Sequence, residues 1–143
     1  MATRNGSAIW RGDLKTGTGE VTVGNGVHTG AYSFKSRFED GNGTNPEELI
    51  AAAHAACYSM QLSAMLAEDG TPAASVETSA VCTLRNVDGK PTITAIALTT
   101  VGEVPGLTEQ GFQDAAAAAK EACLITRALA GVGEITLEAS LKG

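Results

Sequence analysis

The stretch Asn45-Pro-Glu-Glu-Leu-Ile-Ala-Ala-Ala-His-Ala-Ala-Cys57 decides the fold of this chain. Asn45 is a favoured N-cap residue, proline suits the first helical position, and Glu48 stands three residues past the cap. The helix that begins here can continue to about Glu68, before a glycine and a proline that end it. Residues 49–60 are apolar or small on nearly all sides. We therefore expect a central helix that is buried on most of its surface.

Segments with strand-like patterns flank this helix on both sides. Before it, short apolar pieces between residues 8 and 37 are separated by Gly24-Asn25-Gly26, which indicates a meander of short antiparallel strands. After it, residues 75–87 and 90–104 are two strand-like runs joined by Asp88-Gly89, a favoured pair for a two-residue hairpin turn. The sequence therefore predicts antiparallel sheet at both ends of the long helix.

A second helix and a last strand complete the pattern. Thr108 can cap a helix that the alanine run 115–119 extends to the neighbourhood of Cys123. Residues 134–141 alternate apolar and polar side chains, as a strand with one buried face does. The predicted fold class is α+β, with antiparallel sheets wrapped around long central helices. A chain of 143 residues predicts a single domain over 1–143.

Composition argues against several classes of function. The net charge is −6 and the Lys and Arg residues are scattered, so a nucleic-acid partner is not expected. The start of the chain lacks the apolar core of a signal peptide. The longest apolar run, residues 49–57, is interrupted by His54 and is far shorter than the roughly 20 residues of a membrane span. We therefore expect a cytoplasmic protein that binds neither nucleic acid nor membranes.

Three cysteines carry most of the functional information. Structural disulfides are not expected in a reducing compartment, so partly buried cysteines there are candidates for chemistry. Cys57 and Cys123 both lie among small residues that leave room around sulfur, although free cysteines in alanine-rich helices are usually core residues. Cys82 shares its strand parity with Val76 and Ala80, which favours a core position. From pattern alone, both interpretations of the first two cysteines stay open.

Several polar residues have an ordinary explanation beside a functional one. His54 precedes Cys57 by three residues on the same helix face, which permits a histidine-activated thiol, although a hydrogen-bonded buried histidine is commoner. These two residues and Cys123 lack the fourth ligand and the close cysteine pair of a zinc site. Glu47 most simply favours the positive end of the helix dipole. Arg37 is by default a solvated residue at the end of a strand.

Five pieces of the sequence, in order and spacing, resemble the OsmC/Ohr family of bacterial thiol peroxidases, and within it the osmotically inducible OsmC branch. They are WRGDLKTGTG at 10–19, RFE at 37–39, GTNPEELI at 43–50, AAHAAC at 52–57 and AKEAC at 119–123. The match covers nearly the whole chain. The position of Arg37 favours the OsmC branch, because the Ohr branch supplies its arginine from nearer the N-terminus. Leu124 departs from the pattern, since relatives commonly have proline directly after the second cysteine.

The resemblance implies a cysteine-based peroxidase of the oxidative and osmotic stress response. By this resemblance, Cys57 is the peroxidatic cysteine, which an organic hydroperoxide or hydrogen peroxide oxidises to a sulfenic acid, and Cys123 is the resolving cysteine, which then forms a disulfide with it. Arg37 and Glu47 are the polar pair that prepares the thiolate. An external dithiol, which the resemblance gives as a dihydrolipoyl group or a similar small dithiol, reduces the disulfide again. The mechanism implies no cofactor: no metal, haem or flavin.

The spacing of two of these residues bears on the oligomeric state. Glu47 and Cys57 are ten residues apart, which is about 15 Å along a continuous helix. Both can serve one site if Glu47 reaches Cys57 of a partner whose central helix runs antiparallel, as in a twofold dimer. We therefore expect an intertwined homodimer with two active sites at its interface. A kink in the helix between Pro46 and Cys57 is the competing explanation.

Two rival functions use the same residues differently. A thiol hydrolase or acyl transferase would combine Cys57 with His54 and would not need Cys123. A nonenzymatic small-molecule carrier would have inert thiols, with slow alkylation of Cys57 and no oxidation by one equivalent of peroxide.

Overall fold

The computed structural model describes residues 1–143 as six strands in two three-stranded sheets, together with four helices. It divides into two compact units, Met1–Leu49 and Ile50–Gly143, whose boundary falls near the start of the longest helix. The predicted α+β class is confirmed.

An antiparallel meander forms most of the first unit. Strands β1 (Gly6–Arg11), β2 (Thr18–Val23) and β3 (His28–Tyr32) pair in chain order, as predicted. Gly19 is required where it stands, because a Cβ there would lie 2.4 Å from the ring of Tyr32 and 2.7 Å from the ring of Trp10. The missing side chain lets these two rings pack with their centroids 5.3 Å apart.

A short helix, α1 (Phe34–Phe38), follows the meander where the sequence predicted a continuing strand. Ser33 and Ser36 form a reciprocal capping box. The Ser33 hydroxyl accepts a hydrogen bond from the Ser36 N–H at 3.1 Å, and the Ser36 hydroxyl accepts one from the Ser33 N–H at 2.8 Å. This capping box stabilises the start of a helix in a segment whose apolar pattern indicates a strand. The strand-end position predicted for Arg37 is therefore wrong, and Arg37 lies in the last turn of α1.

The long helix α2 (Pro46–Glu68) begins as predicted, because the Asn45 side chain accepts a hydrogen bond from the Glu48 N–H at 2.9 Å. It runs as one α-helix without a break. Its buried residues recur every fourth position and form one face, consisting of His54, Tyr58, Leu62 and Leu66. The prediction of burial on most sides is wrong for the single chain. A helix that packs on one neighbouring layer buries one stripe, whatever the composition of its other faces.

Length and composition alone would allow α2 to cross a membrane, a criterion that core helices of soluble proteins also meet. In this structure α2 belongs to the core of the second unit. The Tyr58 hydroxyl donates a hydrogen bond to the Ala116 carbonyl at 3.0 Å, and Leu62 and Leu66 belong to the same buried cluster. These contacts account for the apolar face of the helix.

A hairpin and a returning strand form the second sheet. Strands β4 (Ser75–Val87) and β5 (Lys90–Glu103) are antiparallel, and Asp88 and Gly89 both have positive φ (51° and 79°), as a type I′ turn requires. The predicted hairpin is confirmed. Strand β6 (Glu134–Leu141) pairs parallel to β5, so this sheet is mixed and not wholly antiparallel as predicted. The reason is the helical crossover between them, which returns the chain to the end of the sheet where β5 began.

Two helices make that crossover. Helix α3 (Glu109–Ala122) starts at Thr108, whose hydroxyl accepts a hydrogen bond from the Gly111 N–H at 3.1 Å, as predicted. Helix α4 (Leu124–Ala128) follows after the single residue Cys123. Phe112 of α3 is fully buried against Gly102 of β5, where a Cβ would lie 2.3 Å from the ring. The crossover thus places Cys123 at the junction of two helices.

Candidate active site

Arg37 and Glu47 form a bidentate ion pair within the first unit. The Arg37 Nε lies 3.2 and 3.1 Å from the two carboxylate oxygens of Glu47, and Nη2 lies 2.7 Å from Oε1. The Glu47 side chain is 13% exposed and the Arg37 side chain 36% exposed. Because a bidentate carboxylate fixes both the direction and the plane of the guanidinium, the remaining N–H groups are held ready for another acceptor.

An aromatic pocket adjoins this ion pair on the arginine side. It is a cavity of about 390 Å³ lined by Trp10, Gly12, Leu14, Tyr32, Ser33, Phe34, Arg37 and Phe38. The guanidinium carbon of Arg37 lies 5.0 Å from the centre of the Phe38 ring, which is within cation–π distance. The pocket therefore offers one cationic group in an open cleft lined mainly by apolar side chains, an arrangement suited to an apolar molecule with one polar or developing negative end.

Cys57 and Cys123 meet in the interior of the second unit. Cys57 lies on α2 and is half-buried, and Cys123 lies between α3 and α4 and is fully buried. Both are free thiols, and the Cys57 side chain is one of the groups that lower the pKa of Cys123, so the two side chains are neighbours. The structure therefore brings together two cysteines that are 66 positions apart in the sequence.

The surroundings of Cys123 favour its thiolate. Burial raises the pKa of Cys123, but hydrogen bonds from the Thr126 backbone N–H, the Thr126 hydroxyl, the Cys57 thiol and the Ile125 N–H outweigh it and bring the pKa below its ordinary value. Cys123 directly precedes α4, so these N–H groups belong to the unpaired first turn of that helix. A nearby thiolate in turn disfavours a phenolate: burial, together with Cys123, raises the pKa of Tyr58 well above its usual range.

His54 lies on α2, is fully buried and contacts Thr126. Its Nε2 lies 2.7 Å from the hydroxyl oxygen of Thr126, whereas its Nδ1 is buried without a hydrogen-bond partner. Burial lowers the pKa of His54, so the ring is neutral near pH 7. The hydrogen bond of His54 goes to Thr126 and not to Cys57, which removes the geometric basis for the histidine-activated thiol that the sequence left open.

Thr126 is a residue beside the cysteines that the sequence analysis did not consider. It connects His54 on α2 to Cys123 at the start of α4. The available signal was its position three residues after Cys123, where the backbone N–H and side chain of a first helical turn face the capping residue. Reading that signal required α4 to be predicted as a separate helix, and it was not.

The remaining candidates are placed away from any cluster of ligands. Cys82 is half-buried on β4, opposite Ile96 of β5. No group of three or more His, Cys, Asp or Glu side chains in residues 1–143 is arranged to hold a metal ion. The groups described above that can take part in chemistry are the Cys57 and Cys123 thiols and the Arg37–Glu47 ion pair.

Comparison with known proteins identifies the family. Residues 39–138 match the family model described as OsmC-like protein. The chain belongs to the OsmC-like protein family. Over 140 residues it is 45% identical to the peroxiredoxin OsmC of Escherichia coli, covering 97% of this chain and 96% of that protein. The predicted resemblance is confirmed.

Solved structures share the OsmC-like fold over nearly the whole chain. An organic hydroperoxide resistance protein from Elizabethkingia anophelis superposes with a TM-score of 0.80 at 23% identity, covering 99% of this chain and 98% of that chain. The organic hydroperoxide resistance protein OhrB of Bacillus subtilis gives a TM-score of 0.68 at 25% identity, covering 96% and 98% respectively. At these identities the likeness establishes the fold.

Proposed function

We propose that this OsmC-like protein is a thiol-dependent peroxidase that reduces organic hydroperoxides, and hydrogen peroxide as well, in the response to oxidative and osmotic stress. The neighbouring positions of Cys57 and Cys123 carry the proposal, because a second thiol beside the first is what a two-cysteine mechanism needs. The 45% identity to a peroxiredoxin supports the same reaction.

The proposed reaction has two steps within the protein. The Cys57 thiolate attacks one peroxide oxygen, the O–O bond breaks, and the other oxygen leaves as an alcohol, or as water from hydrogen peroxide, after taking up a proton. Cys57 is then a sulfenic acid. The Cys123 sulfur attacks the Cys57 sulfur, the S–O bond breaks, and hydroxide leaves as water with the proton from Cys123. The disulfide is returned to two thiols by an external dithiol of lipoyl type.

Arg37 and Glu47 prepare the first step in this proposal. A guanidinium beside Cys57 favours the thiolate and stabilises negative charge on the peroxide oxygen as the O–O bond breaks. Glu47 holds the guanidinium by the bidentate contact described above. The aromatic pocket beside Arg37 receives the organic part of the hydroperoxide.

The active site is proposed to form between two chains of a homodimer. Helix α2 is continuous over Pro46–Glu68, which supports a separation of about 15 Å along its axis between Glu47 and Cys57 over a kinked helix. A stripe of small and apolar side chains on α2 is exposed in the single chain, consisting of Ala53, Ala56, Met60 and Ala64, with Met60 75% exposed. A partner's antiparallel α2 would cover this stripe. Native mass spectrometry is expected to give a dimer, and a monomer at micromolar concentration would contradict this part of the proposal.

The proposal extends to the domain organisation of the protein, its location in the cell and its partners. Residues 1–143 act as a single OsmC/Ohr-like domain in the cytoplasm, with no cofactor and with no nucleic-acid or membrane partner. The net charge of −6 agrees with the exclusion of nucleic acid.

A turnover assay tests the function. With dihydrolipoamide as reductant, we expect consumption of tert-butyl hydroperoxide by the unmodified protein, none by Cys57→Ser, and at most one turnover by Cys123→Ser. The matched control is Cys82→Ser, which is expected to keep the rate of the unmodified protein. Full turnover by Cys123→Ser would indicate a one-cysteine peroxidase, in which the reductant itself reduces the Cys57 sulfenic acid. No consumption of peroxide by any of these proteins would favour the hydrolase or the carrier.

A further inference from the structure

Helix α1 carries Arg37 beside Glu47, and it is too short to hold that position by itself. It has five residues, whereas isolated helices shorter than about 12 residues are marginal in water. The ion pair is partly exposed, and exposed ion pairs do little to order a chain. Other contacts are therefore needed to fix α1 relative to the start of α2.

Two buried polar residues join these helices, one directly before Arg37 and one two positions before Glu47. Ser36 and Asn45 are each 8% exposed. The Ser36 hydroxyl donates a hydrogen bond to the Thr44 carbonyl at 2.8 Å, the shorter of its two carbonyl contacts. The Asn45 amide nitrogen donates one to the Ser36 carbonyl at 2.9 Å. We call these two hydrogen bonds the Ser36–Asn45 bridge.

The Asn45 side chain uses both of its polar atoms. Its Oδ1 accepts the Glu48 N–H at 2.9 Å, which caps α2, while its Nδ2 donates to Ser36. The partners fix the orientation of the amide, because a backbone N–H can only donate and a carbonyl can only accept. Aspartate caps a helix as well as asparagine does, but it has no donor for the Ser36 carbonyl. Asparagine at this position therefore makes a contact that a cap alone does not require.

The α2 side of the Ser36–Asn45 bridge is anchored independently of α1. The Thr44 N–H donates a hydrogen bond to the Ala31 carbonyl of β3 at 2.9 Å, and the Thr44 hydroxyl donates one to the Glu48 carboxylate at 3.0 Å. Loss of the Asn45 donor should therefore loosen α1 while leaving the start of α2 in place.

We propose that Asn45 is a positioning residue for the first step of catalysis: through the Ser36 carbonyl it holds α1 against the start of α2, and so keeps the Arg37 guanidinium beside Glu47 and the aromatic pocket. The inference rests on the proposed function, in which Arg37 stabilises negative charge on the peroxide oxygen. Without the Asn45 donor, Arg37 occupies more positions and fewer molecules are ready for the attack on peroxide. The later formation of the disulfide does not use Arg37.

The test follows the two chemical steps separately in a single turnover. Asn45→Asp keeps the helix cap and removes the donor, and Asn42→Asp makes the same change of amide to carboxylate at an exposed position of the same loop. Reduced protein is mixed with tert-butyl hydroperoxide at several concentrations. A dimedone reagent reports the sulfenic acid, and intact mass reports the disulfide. We expect Asn45→Asp to slow sulfenic acid formation about tenfold without changing the rate of disulfide formation, and Asn42→Asp to keep both rates.

Two results of this experiment would overturn the inference. One is sulfenic acid formation at the unmodified rate in Asn45→Asp, and the other is an equal slowing of both steps, which would indicate a merely structural role. Asn45→Ser also keeps a cap acceptor, on a side chain one atom shorter and without added charge, and should behave as Asn45→Asp does. The unmodified rate in Asn45→Ser would assign the effect of Asn45→Asp to its charge and would equally overturn the inference.

A double-variant cycle tests whether Asn45 acts through Arg37. Arg37→Met removes the guanidinium, so adding Asn45→Asp to this variant should slow sulfenic acid formation no further. Multiplied effects in the combined variant would show that Asn45 acts by another route. Circular dichroism of each protein checks folding.

Hydrogen exchange tests the Ser36–Asn45 bridge without a catalytic readout. The Arg37 N–H donates to the Ser33 carbonyl at 3.2 Å within α1, so it exchanges when α1 opens. We expect this amide to exchange about tenfold faster in Asn45→Asp than in Asn42→Asp, and equal exchange in the two variants would overturn the inference. Failure of the proposed function is distinguishable, because the unmodified protein would then form no sulfenic acid while the difference in exchange would remain.

Discussion

Glu47→Gln isolates the contribution of the Arg37–Glu47 pair to catalysis. The substitution keeps the length and shape of the side chain but removes the charge that holds the guanidinium through three N–H to oxygen contacts of 2.7 to 3.2 Å. Hydrogen bonds to charged groups contribute about 1.5 to 3 kcal/mol when buried. The Arg37 side chain is 36% exposed, so screening by solvent reduces the expected loss to about 1 to 2 kcal/mol. In rate, that corresponds to a roughly 5- to 30-fold lower kcat/KM.

The matched control is Glu48→Gln. Glu48 lies in the same first turn of α2, so its neutralisation has the same effect on the helix dipole and on net charge. Its carboxylate accepts a hydrogen bond from the Thr44 hydroxyl at 3.0 Å and does not contact Arg37. Steady-state kcat/KM for an organic hydroperoxide should therefore fall in Glu47→Gln and stay within about twofold in Glu48→Gln. Equal activity in the two variants would refute the role given to the ion pair.

Three further predictions concern the second unit. Leu124→Pro should raise the free energy of unfolding by about 0.4 to 1 kcal/mol in urea titrations. The reason is that Leu124 is the first residue of α4 and that Cys123 already has the extended backbone, with φ of −58° and ψ of 125°, that a residue before proline needs. Unfolding at a lower urea concentration would contradict this. Gly102→Ala should cost about 1 to 3 kcal/mol by overpacking, since its Cβ would lie 2.3 Å from the buried Phe112 ring; an unchanged urea midpoint would contradict the packing. Because the pKa of Cys123 is lowered in the folded state, the free energy of unfolding of the reduced protein should rise as pH rises towards the ordinary cysteine pKa of about 8.5, and this gain should be lost as pH falls through the folded pKa. Cys123→Ala should lack this gain. The same dependence of unfolding free energy on pH in both proteins would contradict the lowered pKa.

Local signals in the sequence predicted the elements that depend on short-range chemistry. The Asn45 cap fixed the start of α2, and Asp88-Gly89 fixed the hairpin, because the residues that favour each conformation are adjacent in the chain. The capping box of Ser33 and Ser36 is also local, but it consists of two serines in a segment whose apolar residues resemble a strand. The predicted strand was therefore wrong at Arg37.

Features that depend on distant pairing were not predictable from the single sequence. The parallel partner of β5 is β6, which follows after two intervening helices, and no pattern within either strand specifies that direction. Which faces of α2 are covered depends on neighbouring layers and not on its own composition. The hydrogen bond between His54 and Thr126 joins residues 72 positions apart, so the sequence could favour a hydrogen-bonded buried His54 but could not identify its partner.

The family resemblance predicted which residues form the candidate site. The contact between Cys57 and Cys123 and the contact between Arg37 and Glu47 are both present in the structure. The reason for the lowered pKa of Cys123 was not visible in the sequence, because it depends on the first turn of α4 and on Thr126.

Peptide mapping after a single oxidation tests the central claim most directly. The fully reduced protein is treated with one equivalent of an organic hydroperoxide, remaining thiols are alkylated, and the peptides are identified by mass spectrometry, with Cys82 on β4 as the internal control. The account predicts a disulfide between Cys57 and Cys123 and an alkylated Cys82. Three alkylated cysteines, or a disulfide that includes Cys82, would contradict it.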